Sequence, residues 1–165
     1  MAWTTPRTWV AGEQPTAALF NAHLRDNLNA IAAVGITGWT DYTASATWTG
    51  SGSNPTVTCD QARYCQVGKL VIYQTRWTYT SGGTGTWLWG LPVTAAIGGN
   101  HTAGSGDLFD SSGVDTWLVQ MDLNSTTAAR ALFDQQTATG VVTQTAPFTF
   151  GSGDNAKFII KYEAA

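Results

Sequence analysis

The 165-residue sequence predicts a mainly β fold, an antiparallel jelly-roll or β-sandwich head preceded by an extended arm and one N-terminal α-helix. Three observations carry that expectation. From Ile36 onward apolar and polar residues alternate with a period of two, the pattern of strands with one buried face. Turn-forming clusters punctuate the same region at residues 50–55, 81–85, 98–106, 111–113 and 151–155. No helical stretch is interleaved among them, which excludes βαβ units and a parallel sheet. Composition agrees: eighteen glycines, eight tryptophans and an aromatic fraction of 12% belong to strands and turns, and the length suits one domain with its own core.

Residues 1–35 and 36–165 form two units of different character. Trp3, Pro6, Arg7 and Trp9 fall within residues 1–14, a segment too short to make a core. Two indoles on such an arm need a surface to dock on. That surface is either this chain's own or another protein's, where Trp and Arg are the residues enriched among interface hot spots. Residues 15–34 contain no internal glycine or proline and read as one helix, with Pro15 in its first turn. Phe20, Leu24, Leu28 and Ile31, spaced four, four and three apart, make an apolar stripe. The series Phe20, Leu24, Asn27, Ile31 and Val34 also fits a coiled-coil seam, in which a polar Asn27 would set register. Either the stripe packs on its own domain, or a tethered head raises the local concentration enough for the helices of several chains to join.

Within the head, residues 69–80 place Val71, Tyr73, Thr75, Trp77 and Tyr79 on one face, with Gln74 and Arg76 on the other. Trp117, Val119, Met121 and Leu123 share a face opposite Gln120 and Asp122, and Phe158, Ile160 and Tyr162 alternate with Lys157 and Lys161. Further strands are expected at 43–49, 56–59, 86–91, 129–134 and 141–150.

Charge narrows the function. Charged residues make up 12% of the chain, about half the usual share, and the net charge is −3. A nucleic-acid partner is not expected without a basic footprint, and disorder is excluded by the aromatic content. No apolar run reaches membrane-spanning length, and the first residues lack the pattern of a secretory signal, so neither membrane insertion nor export by that route is expected. Cys59 and Cys65 either face each other across a tight hairpin as a disulfide or are two small reduced side chains. With His23 and His101 far off in sequence, no metal-ligand spacing results, and neither metal nor cofactor is expected.

Catalytic constellations are equally thin. His23 lies on the helix and His101 in a glycine-rich stretch expected to be a loop tip, a poor support for a base. Asp107, Asp110, Asp115, Asp122 and Asp134 could supply a glycosidase pair only if the fold set two across a cleft. The glycine-rich runs lack the strand, helix and lysine of a phosphate loop and read as turns. Asn100 and Asn124 begin glycosylation triplets that are common by chance. Trp87 and Trp89 project to one face of a strand. They are either core or interface residues or, if exposed, the platform of a monomeric carbohydrate-binding module.

The segment Trp3–Ile31, with Trp3, Pro6, Arg7 and Trp9 followed by Phe20, Asn21, Leu24, Arg25, Asp26, Asn27 and Leu28, resembles the N-terminal arm and helix of virion proteins from phages that infect actinobacteria. Phe20 stands where leucine is more usual. The run around Tyr64–Thr80 and the C-terminal residues 148–165 resemble, more loosely, the jelly-roll heads attached to such arms. This resemblance implies a non-enzymatic homotrimer assembled into the virion in the host bacterial cytoplasm. Trp3, Pro6, Arg7 and Trp9 would anchor it to capsid or tail proteins. Phe20, Leu24, Asn27, Leu28 and Ile31 would make the three-fold contact. The head would decorate the particle or attach to the host surface, where a glycan is a possible partner at Trp87 and Trp89.

Overall fold

The computed structural model describes residues 8, 10–33, 38–135 and 138–165. Trp3, Pro6, Arg7, Trp9 and Val34 lie outside them. The chain order is α1 (Ala17–Phe20), a π-helical turn (Asn21–Arg25), α2 (Asp26–Ala33), β1 (Thr40–Asp41), β2 (Trp48–Gly50), β3 (Ser53–Val67), β4 (Leu70–Thr84), β5 (Trp87–Gly90), β6 (His101–Asp110), β7 (Asp115–Leu123), β8 (Ala128–Gln135), β9 (Ala138–Val141) and β10 (Asn155–Glu163).

The strands make one antiparallel sheet in the order β1-β3-β4-β10-β6-β7-β8-β5-β2, with β9 added beside β8. The fold is mainly β, as its sequence pattern predicts. β3 and β4 form a long hairpin that turns at Gly68, whose φ of 59° suits glycine. β10, last in sequence, inserts between β4 and β6 and runs antiparallel to both. The sheet curls on itself, bringing β2 and β5 at its far end over β4 and β10 in its middle. Trp48 meets Trp77 edge-on with ring centroids 6.0 Å apart, and Trp89 meets Phe158 at 4.6 Å. The resulting core contains Val71, Tyr73, Trp77 and Tyr79 from β4, Phe158, Ile160 and Tyr162 from β10, and Val119, Met121 and Leu123 from β7. These are the inward faces that the period of two marks out.

Several local expectations are corrected. The loop expected over 98–106 is confined to residues 98–100: His101 opens β6, and Gly104 and Gly106 sit inside that strand. A Cβ at Gly104 would strike the Ile159 carbonyl, and one at Gly106 the Lys157 carbonyl and the Phe158 ring. These glycines admit the β10 backbone at close range, a role that composition alone does not separate from turning. The expected strand at 43–49 begins with a turn, because the Thr43 hydroxyl both donates to the Ala62 carbonyl and accepts from the Ala62 N–H. The strand expected over 141–150 ends at Val141. Asp122, placed opposite the core face, is nevertheless buried and accepts from the Gln120 amide.

The helix also departs from a single uninterrupted run. Thr16 caps it, its hydroxyl accepting from the Leu19 N–H at 3.3 Å, so Pro15 precedes the cap rather than occupying the first turn. The π-helical turn, closed by the Asp26 N–H donating to the Asn21 carbonyl, then adds a residue and shifts every later side chain around the axis.

Candidate functional site

Trp87 and Trp89 are fully buried, at 0% exposure. β5 is a four-residue strand held between β2 and β8, and its inward face lands in the middle of the core. Trp87 packs edge-on against Trp48 and Phe150, with centroids 4.9 and 4.7 Å apart. Neither ring has a face open to a sugar. The platform assignment of Trp87 and Trp89 is therefore corrected: they are core residues, and large aromatic area is what holds the two halves of the curled sheet together.

The helix stripe behaves in the opposite way. Phe20, Leu24, Leu28 and Ile31 remain between 45% and 64% exposed. Asn27 is buried, its amide donating to the His23 carbonyl at 3.3 Å. Its burial contrasts with the exposure of the stripe residues on either side of it in sequence.

The residues weighed for chemistry hold structural posts. Asp107 pairs with Lys157 at 3.4 Å. Asp110 Oδ1 accepts from the Gly113 and Ser112 N–H groups and from the Ser112 hydroxyl, which closes the turn into β7 and holds the carboxyl below its usual range. Cys59 and Cys65 are both free and lie on the single strand β3, six residues apart. That separation is about 20 Å of extended chain, so the hairpin disulfide is excluded. Burial pushes the Cys59 thiol up to about 11, which keeps it protonated and unreactive near neutrality. Among the described residues no three His, Cys, Asp or Glu side chains are grouped to hold a metal.

Two outward features have no counterpart in the sequence reading. Leu118, 82% exposed, borders two shallow troughs of about 590 Å³, one along β6 to β9 and the other along β4, β10, β6 and β7. At the β1 edge, Trp39 is 44% exposed with the Arg63 guanidinium 4.5 Å from its ring centroid. Beside them opens a depression of about 340 Å³ lined by Asp41, Thr43, Asp60 and Gln61. The pairing of Asp41 with Arg63 across β1 and β3 builds this corner, and cross-strand register of that kind leaves no local sequence signal.

No protein-family model, curated protein or solved structure matches the chain.

Proposed function

We propose that this chain is a non-enzymatic virion structural protein of a phage infecting actinobacteria, a small homotrimeric fibre or decoration protein. Its N-terminal arm attaches to the particle, and its β head faces outward for particle decoration or host-surface attachment. One observation carries the assembly part: four large apolar side chains at helical spacing stay about half exposed beside a head whose own core is closed. A helix this short is marginal alone in water, and an uncovered stripe on it has a use only against a partner. The virion part rests on the resemblance at Trp3, Pro6, Arg7 and Trp9.

Light scattering on the purified chain tests the assembly. The expected mass is three times the 17.5 kDa chain, and a monomer at micromolar concentration refutes the trimer. Leu24→Asp with Leu28→Asp is expected to give a monomer with an unchanged head spectrum, because neither side chain contributes to the head core. For the arm, Trp3→Ala with Trp9→Ala is expected to leave the head folded and abolish incorporation into particles; normal incorporation contradicts the anchor.

A further inference from the structure

We propose that the depression beside Trp39 is a binding subsite for a neutral pyranose. It stands on the geometry of the head alone and does not depend on the trimer or the virion reading.

The corner is built by three local events. β1 pairs with β3 for only two residues before the chain turns away at Thr43, which leaves the edge of β3 uncovered around Asp60 and Gln61. A β-bulge between Cys59 and Gln61 takes Asp60 out of the ladder and re-aims it. Arg63, which lies across from Asp41, donates from both Nε and Nη2 to Gln74 Oε1, at 3.1 and 3.0 Å, and so holds its guanidinium over the Trp39 ring before any ligand arrives. A subsite fixed in advance loses little side-chain entropy on binding.

The chemistry of the lining selects the ligand. A pyranose presents a patch of C–H groups flanked by hydroxyls that both donate and accept. Here the half-exposed indole offers the apolar surface that the Arg63 guanidinium leaves uncovered. Asp41 engages the Thr43 N–H through Oδ1, and Asp60 engages the Thr78 hydroxyl and Arg76 through Oδ2. The Thr43 hydroxyl and the Tyr42 N–H also bear on Asp41, and each carboxylate keeps lone pairs beyond these contacts for sugar hydroxyls. The Gln61 amide supplies a donor and an acceptor, and Arg63 supplies a further donor. Asp41 and Asp60 are balanced by Arg63 and Arg76, so the corner carries no net charge to draw in an acidic sugar, and its donors and acceptors suit neutral hydroxyls. A depression of about 340 Å³ falls at the small end of ligand sites, which span about 300–1,000 Å³.

Isothermal titration and saturation-transfer NMR on the full chain test this with the methyl glycosides of glucose, galactose, mannose and N-acetylglucosamine, and with methyl glucuronide as the acidic probe. At least one neutral glycoside is expected to bind with a Kd on the order of 1 mM, unaffected by EDTA. Trp39→Ala and Asp41→Asn are each expected to weaken it about tenfold or more, and the glucuronide to bind no more tightly than the neutral glycosides. Absence of binding by every neutral probe, binding retained in a folded Trp39→Ala, or preference for the glucuronide overturns the proposal. If Trp39→Ala fails to fold, Asp41→Asn decides, since its amide oxygen can still accept from Thr43. A trimer that binds no sugar refutes the subsite alone, and a monomer that binds one refutes the trimer alone.

Discussion

Asp154 is a buried carboxylate with a structural post. Its Oδ1 accepts from the Ser111 N–H and hydroxyl, each at 2.8 Å, and its Oδ2 from the Gly151 N–H at 2.7 Å. It thereby ties the turn before β10 to the turn after β6. Removing the acceptor strands several buried donors, so Asp154→Ala is expected to lower unfolding stability by about 3 kcal/mol, read from the urea midpoint. At the same scale, the aromatic residues divide by position rather than by type. Trp48, Trp77, Trp87 and Trp89 are buried, whereas Trp39 is open. Nothing in the sequence around Trp39 separates it from the others, because exposure depends on how soon β1 ends.

Among the elements, β6 shows how a glycine-rich run serves as a strand. Gly104 and Gly106 face β10 at positions where a side chain would meet backbone, and backbone cannot step aside as a long side chain can. Gly106→Ala is therefore expected to destabilise the head by about 2 kcal/mol or more through displacement of Lys157 and Phe158, checked by thermal unfolding. β4 and β10 are the contrasting case. Val71, Tyr73, Trp77 and Tyr79, with Phe158 and Ile160, are buried at every second position, and the period alone identifies their faces. The helix lies between these cases. Its existence and its apolar stripe follow from spacing, but the π-helical turn within it has no signature in the residues that form it.

For the whole molecule, an aromatic interior sets an alkaline limit. Burial raises Cys59 from 9.0 to about 11 and Tyr162 from 10.0 to about 12, and it raises Tyr73 and Tyr42 as well. Each group is kept neutral more strongly by the fold than by the unfolded chain. The stability tied to them is therefore complete below about pH 9, and it is lost as pH rises through the folded values. A urea midpoint that falls steadily between about pH 9 and pH 12 is the expected result, and a flat profile would contradict it. On the acid side, Asp110 and Asp41 are lowered first by the Gly113 and Thr43 N–H groups, so their contribution is present above the ordinary carboxylate range and fades as pH falls through it. The low charge content acquires a location at this scale. Charged side chains such as Arg76, Lys157 and Asp107 line the outer face of the sheet, while the helix presents an apolar stripe.

The sequence by itself determined the strand-rich class, the inward faces of β4, β7 and β10, and the helical stripe, because each is written in local periodicity that chain geometry converts directly into direction. Tertiary structure alone decided that Trp87 and Trp89 are core, that Gly104 and Gly106 are strand, that Cys59 and Cys65 share one strand, and that Trp39 and Arg63 meet beside two aspartates. Those outcomes depend on which distant strand arrives opposite and in what register. A one-residue change in register would reverse every one of those faces, and no local pattern records that choice.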